Sequence, residues 1–337
     1  MRNGARREVL RTAVVGCGRM GQQHAKNTAA LGHRVAIVCD VDAERAGLLA
    51  RSHPGSRAMV DPAAIPWDEV DAAFICTPPF ARGPVEERAA RAGVALFLEK
   101  PIGLSASSGL GTLRAAVEEG VVTSVGYMNR YRASVRRARS LLAGQQVLGF
   151  SAHWVGAAYQ VPWWSDPALS GGQINEQCTH VVDLARHLVG EVAEVDALAQ
   201  PHPDGKGFAS VSVALRFDTG ALGTILCGCL AREKQIGCRV FTARGALSLE
   251  GWNFAWSPSP AFGDGADLGA SQDVFLEECA AFLGAVASGS REAIGCDLAD
   301  ALRTQQVVDA VRAALAARAQ NRIEVTRLGG NHAVASL

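Results

Sequence analysis

The chain has 337 residues, 48% of them hydrophobic and 20% charged, and its 33 Lys+Arg balance its 33 Asp+Glu. That length exceeds the roughly 100–200 residues of a single domain, so two domains are expected. A chain without net charge has no global electrostatic reason to bind nucleic acid or an anionic membrane surface, and with no run of about 18 apolar residues it predicts no transmembrane helix.

The basic start, Met1-Arg2-Asn3-Gly4-Ala5-Arg6-Arg7-Glu8, is followed by a glycine-rich strand and turn rather than a signal-peptide cleavage site, so a cytoplasmic location is expected. Short apolar runs come next at Thr12–Val15, Val35–Cys39, Ala72–Cys76, Ala95–Leu98 and Val121–Val125. They lack polar alternation, as strands covered by helices on both faces do. Helical patterns fill the gaps at 19–31, 42–51, 83–92 and 106–119, which predicts βαβ units and an open, doubly wound parallel sheet over residues 8–126.

After Gly126 the texture changes, and residues 127–327 read as a second α/β domain with a mostly antiparallel, open-faced sheet. The basic stretch Arg130–Arg139 leads into a helix, Leu148–Val155 reads as a strand, and a Trp/Pro/Gly-rich loop runs from 156 to 172. A helix is expected over Asn175–Val189, then strands at Val195–Ala199, Ala209–Phe217, Ala221–Leu230, Cys238–Ala243 and Ala246–Glu250, joined by turns such as Asp218-Thr219-Gly220. Ser257–Ala270 reads as a surface loop, Asp273–Ser288 and Asp297–Arg318 as closing helices, and Ile323-Glu324-Val325 as a short last strand. Ala221–Leu230 has almost no polar side chain, so both sheet faces need cover; too little helix is left for one of them, which predicts a homo-oligomer, dimer or tetramer, joined through that sheet.

The nine cysteines show no metal-knuckle or thioredoxin-type spacing, and most read as small core hydrophobes in a reducing compartment; Cys227 and Cys229 would share a strand without a metal or redox role.

Val14-Val15-Gly16-Cys17-Gly18-Arg19-Met20-Gly21 contains G-x-G-x-x-G between an apolar strand and a helix. In that setting the glycines permit a tight turn and close backbone approach to a pyrophosphate, which the helix N-terminus favours. Asp40 ends the next strand, where an acid accepts hydrogen bonds from the adenosine ribose and repels a 2′-phosphate. The expected cofactor is therefore NAD, with NADP possible if Arg19 or Arg45 offsets that repulsion.

Thr77-Pro78-Pro79 and Glu99-Lys100-Pro101 close the third and fourth apolar runs, at the sheet edge where α/β proteins bind ligands. With the glycine fingerprint, with Gly126-Tyr127-Met128-Asn129-Arg130 and with the stretch from Gly171 to His180, they make the chain resemble the glucose–fructose oxidoreductase/inositol dehydrogenase/MocA (Gfo/Idh/MocA) family from about Leu10 to Val325. The resemblance implies that Lys100 lies between nicotinamide and substrate, that Lys100 and His180 are catalytic, and that Glu176 stands where the family carries Asp. It also implies cofactor contacts from Gly16, Gly18, Arg19, Met20, Gly21, Asp40, Thr77, Pro78, Glu99 and Lys100, and substrate contacts from Arg130, Trp163, Glu176 and His180. Arg82 stands where many relatives have His.

The chemistry of these residue types agrees. Oxidising a secondary alcohol removes a hydroxyl proton as hydride leaves carbon; an imidazole suits that proton near neutrality and an ammonium steadies the alkoxide. Glu176, His180, Asp183 and His187 share one helical face, but no metal is assigned there; His24, His33, His53 and His202 belong to no constellation. Trp154, Tyr159, Trp163 and Trp164 concentrate aromatics suited to stacking on a polyhydroxylated ring. The expected activity is hydride transfer between a nicotinamide cofactor and a sugar, polyol or related cyclic alcohol. Two rivals stand: a dinucleotide-binding regulatory protein without turnover, and an NAD-assisted lyase or glycosidase without net redox change.

Overall fold

The computed structural model describes residues 8–265, 268 and 273–318. In its first half β1 (Arg11–Val15), β2 (Arg34–Cys39), β3 (Arg57–Met59), β4 (Ala72–Ile75), β5 (Ala95–Leu98) and β6 (Thr123–Val125) form one parallel sheet in the order β3-β2-β1-β4-β5-β6. Strands β4 and β5 are buried at every position, the reason for their unbroken apolar runs. Between strands run α1 (Arg19–Ala30), α2 (Ala43–Arg51), α3 (Pro84–Arg91) and α4 (Leu110–Glu119). Their ends follow local chemistry: Asp42 accepts the Glu44 and Arg45 amides to start α2, and Gly120 ends α4 in the left-handed region at φ 66°. The sequence missed β3, three residues on the sheet edge whose side chains stay largely exposed.

In the second half β7 (Val147–Ala157), β8 (Val192–Pro201), β9 (Phe208–Phe217), β10 (Leu222–Gly228), β11 (Leu230–Thr242), β12 (Gly245–Glu250) and β13 (Ala255–Ser257) order as β13-β12-β11-β7-β10-β9-β8. Among the described strands of this sheet only β7 and β10 pair in parallel. One face packs against α5 (Ala133–Leu142), α7 (Thr179–Val189) and α9 (Leu298–Arg318). The opposite face carries Leu148, Leu198, Leu222, Leu226 and Leu230, each about half exposed. Thus β10 alternates burial although its side chains do not alternate polarity.

The long loop after β7 holds the one-turn helix α6 (Pro167–Ser170), and α8 (Val274–Ser288) precedes α9. Helix α8 returns to the first sheet, where Phe282 meets Phe74 and Phe97 edge-on at centroid distances of 5.4 and 5.7 Å. The expected surface loop from 257 to 270 starts with the end of β13 and a Ser259–Gly263 bridge, and the strand expected at 323–325 lies outside the described residues.

Two readings of the second half need correction. The helix over 175–189 is not uniformly α: Ile174–Cys178 forms a π turn before α7. Nor are all the cysteines thiols, since Cys178 and Cys227 form a disulfide between that turn and β10. Both are fully buried, which is why their sequence neighbourhood resembles ordinary core. Among the described residues no helix is long and apolar enough to cross a membrane.

Candidate active site

The strand order reverses between β1 and β4, and a crevice opens at the C-terminal ends of these strands. Gly16 sits there at φ +92°, where a Cβ would fall 2.7 Å from the Cys76 carbonyl carbon. A Cβ on Gly21 would lie 1.9 Å from the Gly16 oxygen, so the helix can begin against the turn only with glycine. Gly18 differs: a Cβ there would meet nothing within 4 Å, and as the residue before α1 it brings no side-chain cap to the helix amides. Bare backbone and uncapped N–H groups fit a pyrophosphate. Asp40 Oδ2 accepts from Cys17 N at 2.7 Å and Oδ1 from Asp42 N at 2.9 Å, which fixes the carboxylate beside that turn.

Lys100, just past β5, precedes a cis peptide bond to Pro101. Its Nζ donates to the Glu176 backbone oxygen at 2.9 Å and lies 3.8 Å from Glu176 Oε2. The π turn brings Glu176 to this point, and His180 follows in the first turn of α7. Burial pushes the Glu176 carboxyl up to about 7, although Lys100 and Arg82 pull it down. Burial also holds His180 well below its usual range, with Lys100, Arg132 and Lys234 acting in the same direction, so the imidazole is neutral at pH 7. Its ring stacks on Trp154 (centroids 4.9 Å apart, planes at 14°), which fixes its orientation. Glu176 Oε1 and His180 Nδ1 are both buried without a hydrogen-bond partner, the capacity a substrate hydroxyl would use.

Behind Lys100 lies a support the sequence did not reveal. His24 Nε2 is 2.7 Å from Glu99 Oε1 and its Nδ1 is 3.3 Å from Cys279 Sγ, which corrects the assignment of His24 to no constellation. The signal was its place one turn beyond Gly21, on the face of α1 that meets the sheet. Burial raises Glu99, but the His24 hydrogen bond, together with Lys100 and Arg82, outweighs it and keeps the group ionised. Glu278 of α8 completes the cluster; burial first, then Glu99 and Asp273, drive its carboxyl far up, so it carries a proton.

That proton has a consequence for stability. The native state holds it above the unfolded value of 4.5, so stability falls as pH rises past that value. Glu278→Gln is expected to flatten this slope and to raise Tm at about pH 8 by several degrees, at ~2–4 °C per kcal/mol, with little change at about pH 4. Calorimetric melting across pH checks it; parallel profiles for the two proteins would contradict a protonated Glu278.

One cavity of about 460 Å³ joins these groups, lined by Gly16, Gly18, Arg19, Met20, Asp40, Thr77, Pro78, Glu99, Lys100, Trp163, Glu176 and His180. Every expected site residue is there except Gly21, packed beneath the turn, and Arg130. A model described as "Oxidoreductase family, NAD-binding Rossmann fold" matches residues 10–127, and the GFO/IDH/MocA C-terminal domain matches 135–248. The chain belongs to the Gfo/Idh/MocA family. It is 31% identical over 230 residues to scyllo-inositol 2-dehydrogenase (NAD(+)) of Bacillus subtilis (strain 168), covering 64% of this chain and 66% of the relative. It is 34% identical over 192 residues to inositol 2-dehydrogenase 2 of Mycolicibacterium vanbaalenii, covering 54% of each. The chain thus spans between about half and two thirds of the length of these curated relatives. Among solved structures, UDP-N-acetylglucosamine 3-dehydrogenase GnnA from Acidithiobacillus ferrooxidans superposes with a TM-score of 0.79 at 25% identity, over 92% of this chain and 99% of that one. Levoglucosan dehydrogenase in complex with NADH shares the fold with a TM-score of 0.79 at 21% identity, over 92% and 98%.

In this Gfo/Idh/MocA chain Arg130 is not among the residues that line the cavity. Residues Met128–Tyr131 form a 3₁₀ turn that sends Arg130 away from the cavity, to Asp183 (2.9 and 2.6 Å) and to Asp300. Arg186 joins the same network, which ties α7 to α9. Trp154 and Trp164 are buried and also absent from the cavity wall, whereas Tyr159 and Trp163 line it. Arg82 lines it too, its Nε donating to the Thr77 oxygen at 2.9 Å. Cys76, Met128, Trp252 and Phe275 line it without having been assigned there: Cys76 and Met128 are the apolar members at the Thr77-Pro78-Pro79 and Gly126–Arg130 motifs, and Trp252 and Phe275 lie in no motif.

Proposed function

We propose that this chain is an NAD-dependent oxidoreductase acting on a CH–OH group of a sugar, polyol or related cyclic alcohol. The observation that carries the reading is the convergence of Lys100, Glu176 and His180 from the two halves of the chain at the mouth of a dinucleotide cradle. Bound nicotinamide supplies the hydride acceptor. Neutral His180 takes the hydroxyl proton, the Lys100 ammonium holds the oxygen as charge develops, and Glu176 positions Lys100. In reduction His180 gives the proton back. A spectrophotometric screen of polyols, aldoses and their keto forms with both cofactors tests this, and a substrate-dependent change in reduced nicotinamide is expected.

The Glu176 carboxyl near 7 adds a pH signature. Its ionised form steadies the Lys100 ammonium, so kcat/KM for oxidation should rise with pH through about 7, and Glu176→Gln should abolish that limb. An unchanged limb in the variant would remove Glu176 from the role.

We assign the dinucleotide half to 8–126 and the substrate and assembly half to 127–327, in a cytoplasmic protein. The half-exposed leucines on the free sheet face support a homo-oligomer covered by a second copy. Light scattering at micromolar concentration should give a multiple of 35.3 kDa, and Leu222→Lys with Leu226→Lys should dissociate it; a wild-type monomer would refute the assembly.

A further inference from the structure

A second cavity, of about 390 Å³, adjoins the catalytic one: Tyr159, Gln160 and Val161 belong to the walls of both. It lies under the loop after β7, against the β8–β9 hairpin, and has polar groups with nothing to bind. Both polar atoms of the Gln173 side chain are buried and unpartnered, as is the Trp164 indole nitrogen, and both residues line this cavity. Unpaired buried amides and indoles are costly unless a ligand or water completes them. Gln173 stands directly before the π turn that carries Glu176, so the two cavities share one piece of backbone.

We infer that this cavity is a subsite for a second, uncharged sugar ring, and that the substrate is a glycoside whose reacting ring lies at Lys100 and His180. The inference rests on the oxidoreductase reading above. Gln173 offers one acceptor and two donors, matched to vicinal hydroxyls, and Trp164 offers one more donor beside the Tyr159 ring. Charge at the rim excludes a diphosphate as the preferred occupant. Among the described residues that line this cavity Lys206 is the one lysine or arginine and Asp204 the one acid, so their formal charges balance and leave no surplus lysine or arginine to hold two negative charges.

The test compares one-ring probes (D-glucose, myo-inositol) with two-ring probes (cellobiose, maltose, galactosyl-inositol) and with UDP-glucose, on the NADH-loaded protein by titration calorimetry and in turnover. At least one two-ring probe should bind about tenfold or more tightly than its one-ring counterpart. Gln173→Met, which keeps the volume and removes the amide, should abolish that gain and leave one-ring binding and turnover unchanged. Trp164→Phe should reduce the gain in the same selective way, through loss of one hydrogen bond worth up to about tenfold. Equal affinity for one and two rings, a preference for UDP-glucose, or variants that weaken both probe classes alike would overturn the subsite. Two-ring binding abolished by Gln173→Met, but without turnover of any probe, would support the subsite and overturn the oxidoreductase reading instead.

Discussion

Lys100→Ala and His180→Ala should each lower kcat by about 10²- to 10⁴-fold, the usual worth of a positioned acid–base or electrostatic group, while NAD binds as in the wild type. The separation follows from geometry. Lys100 Nζ is hydrogen-bonded to the Glu176 backbone oxygen and His180 is stacked on Trp154, so on the proposed function both would act on the substrate oxygen. The proposed dinucleotide cradle, Gly16, Gly18, Gly21 and Asp40, is altered by neither substitution. Stopped-flow turnover with parallel calorimetry separates the two quantities. Near-normal kcat in either variant would remove that residue from the mechanism, and a lost NAD affinity would reassign it to the cofactor.

Cofactor choice carries the second large effect. Asp40 already accepts two backbone amides, which hold its carboxylate where an incoming 2′-phosphate would meet it, and its remaining lone pairs would be left for ribose hydroxyls. NAD should bind about 10- to 100-fold more tightly than NADP, a gap of about 1.4–2.8 kcal/mol. Arg19 and Arg45 line the same cavity, and Arg45 already pairs with the Asp42 carboxylate at 3.2 Å, which offsets part of its charge. Asp40→Ser should narrow the gap; NADP binding as tightly as NAD to the wild-type protein would refute the assignment.

The first sheet was legible because strands buried on both faces leave continuous apolar runs, and the glycine turn because Gly16 and Gly21 answer steric demands while Gly18 leaves the helix amides without a side-chain cap. Local pattern fails where the deciding partner is distant in sequence. Nothing near Phe282 announces that α8 packs on Phe74 and Phe97, and no motif singles out Glu278, which is fully buried. Cys178 and Cys227 are 49 residues apart and each resembles a core hydrophobe. The π turn escapes because side-chain periodicity records a face, not an inserted residue. Arg130 was misplaced for a similar reason: its motif adjoins the site, but its ion-pair partners on α7 and in the first turn of α9 become neighbours only in the fold.

On the proposed function, hydride leaves a substrate carbon for the nicotinamide while Lys100 and His180 handle the oxygen. Incubation with NAD and a panel of C-deuterated polyols and glycosides, followed by mass spectrometry of the recovered nucleotide, tests it most directly. The account predicts reduced nucleotide carrying one deuterium, lost in Lys100→Ala and His180→Ala; tight NAD binding with no deuterium transferred from any member of the panel would contradict it.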